Sequence, residues 1–465
     1  MDVALTLDRL IRWIQDQLPV VVQGDIDDLS QPVVAGVVTD SRQVGTGDVF
    51  VALRGDRFDG HSYVAQALKT GAIAAVVDAP VPDAPGVQLV VGNTLAAYQA
   101  IARGWRRGFD IPIVAITGSA GKTSTKETIA AVLGTAGKVH KTFANFNNEI
   151  GVPKTLLAME PSHNFAVVEM AMRGPGQIAE LALTAEPTIA VITNVGTAHI
   201  GLLGSEQAIA NAKCELLAEL NPEGVAVLNA DDERLMRTAA GVWSGRTVTY
   251  GLNGGDVRGE LVGLDQVVVD GETLPLPLPG AHNARNFLAA IAVARLLGVD
   301  ETPLKTGITI DMPEGRAQQH TLPGDIVLLD ETYNAGLESM TAALHLLAQT
   351  PGQRRLALLG TMKELGDRAP EFHERVGRLA AELKLDHLYV LADDPTAEAI
   401  ATGAIQNPSP IPCNTFTTHA EAISALQRDL TKGDRLLLKA SHSVGLEKVV
   451  KALVVKALIE AGAGS

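Results

Sequence analysis

The residues best placed to do chemistry are Gly118, Ser119, Ala120, Gly121, Lys122 and Thr123, which follow the apolar run Ile113-Val114-Ala115-Ile116-Thr117. The run suits a buried parallel strand, and the two glycines let the backbone turn tightly so that several N–H groups face one point, as an anion requires. From Lys122 to Leu133 the composition is helical, with Ile129, Val132 and Leu133 on one stripe, so the loop also sits at the positive end of a helix dipole. Lys122 is then placed for the outer phosphates of a nucleotide and the Thr123 hydroxyl for Mg²⁺. The spacing is short for a phosphate loop, with two residues between Gly118 and Gly121 where the common pattern has four. The plain alternative is a strand-to-helix turn whose lysine is solvated.

Three more apolar runs carry polar groups at their C-terminal ends. Phe165 to Val168 leads to Glu169, Thr188 to Thr193 leads to Asn194 through His199, and Val225 to Leu228 leads to Asn229-Ala230-Asp231-Asp232. In an open parallel sheet the ligand crevice lies outside the strands' carboxyl ends, so these groups converge on one nucleotide. Taken singly, Glu169 is a capping carboxylate and His199 a structural histidine; beside a Lys-Thr phosphate loop they become Mg²⁺-shell residues. Lys213, in a helix from Glu206 to Leu220, reads on its own as a solvated lysine. Asn283 and Asn286 share a face at the start of a helix running through Leu297, where they either read an adenine edge or cap the helix.

The positioning elements divide the chain into three α/β domains. Residues 1–108 form a small mixed α/β N-terminal domain, with strands Val33 to Thr39, Val49 to Leu53, Ala72 to Val77 and Val87 to Val91, and a helix from Ala96 to Arg107. Its polar loops, Asp40-Ser41-Arg42 and Arg54 through His61, are ligand cradles or ordinary surface turns. Gly108 to Pro112 makes a linker. Residues 109–312 form a central phosphate-loop ATPase domain with a mostly parallel sheet, ending in short strands and hairpins such as Asp270-Gly271. A second linker spans Asp311 to Arg316. Residues 313–465 repeat the strand–helix alternation at Ile326 to Leu329, Leu356 to Leu359, His387 to Leu391 and Arg435 to Leu438, a Rossmann-like C-terminal domain without its own phosphate loop.

Composition narrows the function class. At 465 residues the chain exceeds one hydrophobic core. Its net charge of −15, from 38 basic and 53 acidic residues with no basic run, argues against nucleic acid as a partner. Cys214 and Cys413 are the only cysteines, so neither a disulfide framework nor a zinc cluster is expected. Met1 to Pro19 reads as an amphipathic helix rather than a signal peptide, and no run reaches membrane-spanning length, which makes the cytoplasm the expected location.

With these stretches in place the chain resembles the Mur ligases, ATP-dependent amide-forming enzymes of peptidoglycan synthesis. The resemblance rests on Asp40-Ser41-Arg42 with Asp59-Gly60-His61, Thr117 through Thr123, Asn145-Phe146-Asn147-Asn148-Glu149-Ile150-Gly151, Val168-Glu169-Met170, Thr193 through His199, Ala212-Lys213-Cys214-Glu215, Asn229 through Asp232, Gly280-Ala281-His282-Asn283, Tyr333-Asn334-Ala335 and Met362-Lys363-Glu364-Leu365-Gly366. It implies that Ser41, Arg42, Arg57, Asp59, Gly60 and His61 hold the UDP end of a substrate, and that Asn145, Asn147 and Asn148 lie along a muramoyl-peptide path. It further implies ATP on Gly118 to Thr123, with Asn283 and Asn286 facing adenine and Arg316, Asp330, Tyr333 and Asn334 completing the nucleotide site. Two Mg²⁺ are implied, one at Thr123 and one among Glu169, His199 and Lys213, the last carrying a CO₂-derived carbamate. Lys122, Glu169, His199 and Lys213 would then be catalytic. The Asn145 to Gly151 and Met362 to Gly366 stretches resemble the member that joins D-Ala-D-Ala to UDP-MurNAc-tripeptide, acting as a monomer. A sibling adding another amino acid, or a folylpolyglutamate synthase, is the alternative. Where the family often has Asn-Pro, Gly336-Leu337 stand here, its Lys-Gly-Ser-Arg is Lys439-Ala440-Ser441-His442, and Ala171 replaces a common glycine.

Overall fold

The computed structural model describes residues 5–24, 33–55 and 58–463. Three main sheets follow one another along the chain, with five, nine and six strands, and a two-stranded hairpin lies beside the first. In the first sheet the order is Val20–Gln23, Val87–Val91, Ala74–Val77, Val49–Val51 and Val37–Val38, with only the first pair antiparallel. Its helix Thr94–Arg106 is capped by the Asn93 side chain, which accepts the Ala96 N–H at 3.0 Å.

The centre of the nine-stranded sheet is the strand Ile113–Thr117, buried at every residue. Phe165–Glu169 and Ile189–Ile192 lie parallel on its two sides. Strands covered on both faces need continuous apolar runs, which explains why this stretch lacks alternation. The chain first moves out on one side, to Phe165–Glu169 and the edge strand Val139–Lys141, then continues on the other with Val225–Asn229 and Arg246–Gly251. The strand order therefore reverses beside Ile113–Thr117, and the crevice opens where the glycine loop begins. Helix Lys122–Leu133 packs on helix Ala281–Leu296, whose residues from Phe287 to Ala294 are wholly buried.

In the third sheet Ile326–Glu331, Asp434–Lys439, Arg354–Gly360, His387–Leu391 and Cys413–Phe416 run parallel, and Gln318–Leu322 adds an antiparallel edge.

The expected strands and helices recur with shifts of one to three residues, apart from the first region. There Val33 to Thr39 is reduced to Val37–Val38 and a bridge from Val33 to Thr6. The loop from Arg54 is a short hairpin, Arg54–Gly55 with Phe58–Asp59, followed by a tight turn Gly60–Tyr63; Arg57 lies outside the described residues. Of the stretch Met1 to Pro19, the structure forms helix Leu7–Gln15, and residues 1–4 lie outside the description. No strand signal marks Val139–Lys141, Gln318–Leu322 or Cys413–Phe416, which are short and polar because each lies at a sheet edge.

The first and central sheets are joined by Arg106, which is 9 % exposed and donates to the backbone oxygens of Ala185, Glu186 and Phe109 at 2.9, 3.0 and 3.2 Å. Arg106→Ala removes a donor that three carbonyls share. It is expected to cost roughly 2–4 kcal/mol in urea unfolding, and an unchanged midpoint would show that the joint carries no stability.

Candidate active site

The glycine loop is shaped by Thr193 and Asn194 at the end of the neighbouring strand. Ser119 N–H donates to the Asn194 carbonyl at 3.0 Å and Ala120 N–H to Asn194 Oδ1 at 2.9 Å, while the Asn194 amide and the Thr193 hydroxyl return bonds to the Ala120 carbonyl. Gly118 has φ 154°, and a Cβ there would lie 1.8 Å from Thr193 Oγ1, so no side chain fits. Gly121 follows in the left-handed region at φ 79°. Two of the loop's N–H groups are thus spent inside the protein rather than aimed at a ligand. What remains open is the start of helix Lys122–Leu133, which has no side-chain cap. Its first-turn N–H groups and dipole make the anion site.

The side chains around this helix start are cationic or hard-oxygen groups. Lys122 donates to the Gly118 carbonyl at 2.8 Å, and burial pulls its ammonium below the usual lysine range against the attraction of Glu169. Thr123 donates to Glu169 Oε2 at 3.0 Å, and Asn147 holds Glu169 Oε1 at 2.8 Å. Glu169 is 2 % exposed, and its N–H donates to the Thr142 hydroxyl at 3.0 Å. A hydroxyl and a carboxylate oxygen beside a phosphate site are the donor set that suits Mg²⁺.

Lys213 is 1 % exposed on helix Glu206–Ala218, which rules out the solvated alternative. Burial, reinforced by the Lys122 cation, drives its ammonium well below the ordinary lysine value, and it forms no hydrogen bond or ion pair with a described residue. His199 sits at φ 64°, with Nδ1 against the Glu364 carboxylate in the loop after strand Arg354–Gly360. Glu169 and His199 therefore have separate partners, and among the described residues no three His, Cys, Asp or Glu side chains converge as a metal cage.

Lys122, Thr123, Asn147, Glu169, His199 and Glu364 line one cavity of about 1640 Å³ between the central and third sheets, and Lys213 does not. Asn283 and Asn286 also line it, but their amides are largely committed. Asn283 donates to the Pro279 carbonyl at 2.9 Å, Asn286 donates to Asn283 Oδ1 at 3.2 Å, and Asn286 Oδ1 accepts from Thr125 at 3.0 Å. The last of these bonds ties the second helix to the loop helix, and each amide keeps one spare N–H. Arg316 lies 3.8 Å over the Tyr333 ring, and His442 stacks on that ring at 5.2 Å between centroids. Asn334 is exposed at the rim. Asp330 is not among the lining residues; it is 2 % exposed, accepts the Thr332 N–H and hydroxyl at 3.1 and 2.7 Å, and shapes the turn. Its neighbour Glu331 lines the cavity in its place, 3.5 Å from the buried Lys439 ammonium. Asn145 and Asn148 line the mouth, and Asn148 Oδ1 accepts the Gly151 N–H at 2.9 Å.

The first-sheet residues form a separate cluster. Arg42 pairs with Asp40, and its guanidinium and N–H hold the Asp40 carboxyl down to about 2. His61 Nε2 accepts the Asp78 N–H at 3.0 Å, so Nδ1 carries the proton that Asp59 accepts at 2.7 Å. A Cβ on Gly60 would meet the Leu53 carbonyl oxygen at 2.8 Å. None of Ser41, Arg42, Asp59, Gly60 and His61 lines the large cavity.

Fold and site together define a phosphate-loop enzyme in which a second α/β sheet covers the nucleotide crevice. Family models agree: "Mur ligase family, catalytic domain" matches residues 33–104, "Mur ligase middle domain" residues 116–294, and "Mur ligase, glutamate ligase domain" residues 315–442. The chain belongs to the Mur ligase family. A UDP-N-acetylmuramoyl-tripeptide–D-alanyl-D-alanine ligase of Synechocystis sp. is 56% identical over 434 residues, covering 93% of this chain and 94% of the relative. A crystal structure of MurF from Acinetobacter baumannii superposes with a TM-score of 0.86 at 31% identity, covering 97% of this chain and 99% of that one. The Thermotoga maritima MurF ligase in complex with ADP superposes at 0.81 with 30% identity, covering 91% and 98%.

Gly118→Ala is expected to abolish nucleotide binding in titration calorimetry with ADP while leaving a folded protein, because the added methyl displaces Thr193 and with it the loop. Binding within about twofold of the parent would overturn the loop's role.

Proposed function

We infer that this chain is an ATP-dependent ligase that forms an amide between UDP-MurNAc-tripeptide and D-Ala-D-Ala, releasing ADP and phosphate. The observation that carries the reading is the uncapped start of helix Lys122–Leu133, which opens into a cavity lined from both the central and the third sheet. Similarity over nearly the whole length to a ligase of that name supports the choice of substrates. In this reading residues 1–108 bind the UDP end, 109–312 bind ATP, and 313–465 complete the cavity and receive the dipeptide.

The chemistry activates a carboxylate. The tripeptide's terminal carboxylate oxygen attacks the γ-phosphorus, the bond to the β-γ bridging oxygen breaks, and ADP leaves an acyl phosphate. The free amine of D-Ala-D-Ala then adds to the acyl carbon, loses a proton, and the tetrahedral intermediate expels phosphate. Lys122 and the first-turn N–H groups hold the phosphates, and Asn147 steadies Glu169 as the cavity receives the peptide. The third sheet excludes water that would hydrolyse the acyl phosphate. Thr123 with Glu169 would hold a Mg²⁺ that neutralises phosphate charge, and a second Mg²⁺ among Glu169, His199 and Lys213 would require His199 to release Glu364.

As a carbamate, Lys213 would supply an anion to that second site. A buried amine whose ammonium is destabilised is the form that adds to CO₂, with loss of a proton, and the Lys122 charge that disfavours an ammonium favours the resulting carboxylate. Arg316 and Tyr333 flank the nucleotide, Asn283 and Asn286 offer adenine one N–H each, and Asn334 stands at the rim. Asn145 and Asn148 lie along the peptide path, and Ser41, Arg42, Asp59, Gly60 and His61 form the uridine diphosphate cradle. A cytoplasmic location belongs to the same reading, supported by two free cysteines and by the lack, among the described residues, of a helix long and apolar enough to cross a membrane.

ADP release tested with each candidate acceptor is expected only when UDP-MurNAc-tripeptide and D-Ala-D-Ala are both present, and to cease with a Mg²⁺ chelator. Release without an amine acceptor would replace ligation by phosphate transfer or hydrolysis. Lys213→Ala is expected to lose at least ~100-fold in kcat and to recover part of it with added short carboxylic acids. Unimpaired turnover in that variant would remove the carbamate.

A further inference from the structure

The turn that carries His199 is built from both sides of the cavity. On its own side, Val195 N–H donates to Asp232 Oδ2 at 2.6 Å and Gly196 N–H to Ser119 Oγ at 2.8 Å. From the third sheet's side, Glu338 Oε1 accepts the Thr197 N–H at 2.6 Å and Oε2 accepts the Thr197 hydroxyl at 3.3 Å. Glu338 stands in the first turn of helix Leu337–Gln349, where the helix dipole favours a carboxylate. The approach is close: a Cβ on Gly196 would lie 2.3 Å from Glu338 Cδ. Ile200, next to His199, shares a hydrophobic cluster with Leu337 and Met340.

Thr197 is 4 % exposed, so its N–H has no water to turn to when the third sheet is docked. Removing Glu338 would leave that donor unpaired, which costs more than the bond itself contributes. The Ser119 hydroxyl that receives the Gly196 N–H belongs to the phosphate loop, so a shift of the turn is felt there directly.

We propose that Glu338 is a positioning residue, whose carboxylate sets the Thr197–His199 turn, and through Gly196 and Ser119 the phosphate loop, from across the cavity. Its kinetic consequence rests on the ligase reading; its geometry does not. The chain thereby couples docking of the third sheet to completion of the nucleotide site.

The test uses the full chain with E338A, E338Q, G196A and the double variant G196A/E338A. In E338A, hydrogen exchange at the Thr197 amide should rise by about tenfold or more and kcat for acceptor-dependent ADP release should fall by a similar factor. KM for the UDP-linked substrate should stay within about twofold, since that cradle is untouched. E338Q keeps an acceptor oxygen facing Thr197 and should restore most of the exchange protection and rate. G196A should be impaired alone, yet add nothing in the E338A background, because the colliding carboxylate is gone. Unchanged exchange in E338A, E338Q as impaired as E338A, or additive losses in the double variant would overturn the proposal. If the parent shows no acceptor-dependent ADP release, the ligase reading fails while the exchange data still decide whether Glu338 sets the turn.

Discussion

The rest of the site depends on the hydrogen-bonded fit of Thr193 and Asn194 against the Gly118–Gly121 loop. An uncapped helix start has N–H groups that must be satisfied, and a loop free to collapse would satisfy them internally. Asn194 prevents this by engaging both the N–H and the carbonyl of Ala120, while the Thr193 hydroxyl bonds the same carbonyl. The loop keeps its turn, and the first turn of the helix stays available to an anion. Both partners come from the strand next to Ile113–Thr117, so the phosphate site inherits the rigidity of the buried sheet centre.

Electrostatics then explains how an acidic chain of net charge −15 receives polyanionic substrates. Burial first, and then a neighbouring cation, disfavours the charge on three lysines: Arg316 acts on Lys122 and on Lys439, and Lys122 acts on Lys213. Glu169 and Glu331 offset this only in part. A phosphate chain or a metal–phosphate complex in the cavity relieves the repulsion and the desolvation together, so local charge rather than the overall field selects the ligand.

The strands that cross the buried centre were legible because continuous apolar runs have one use in a parallel sheet, and Ile113–Thr117 and His387–Leu391 appear at their expected bounds. Edge strands were not, since Gln318–Leu322 needs few apolar residues to add to an existing ladder. In the site, residue type and strand-end position pointed to Lys122, Thr123 and Glu169, which the structure brings together at one helix start. They did not foretell how polar groups would be spent. Asn283 bonds the entry to its own helix, Asn286 ties that helix to the loop helix through Thr125, Asp330 shapes a turn, and two loop N–H groups serve Asn194. Lys213 looked solvated because a helix sequence does not show which neighbour will cover a given side chain. Glu338 left no signal at all, because its partner Thr197 is 141 residues away in the chain.

Everything proposed for the cavity turns on whether the phosphate loop activates a carboxylate. The most direct measurement supplies UDP-MurNAc-tripeptide labelled with ¹⁸O in its terminal carboxylate, together with ATP and D-Ala-D-Ala, and examines the released phosphate by mass spectrometry. Attack of that carboxylate on the γ-phosphate predicts one ¹⁸O in each phosphate released from the labelled substrate. Amide product accompanied by unlabelled phosphate would contradict activation through an acyl phosphate.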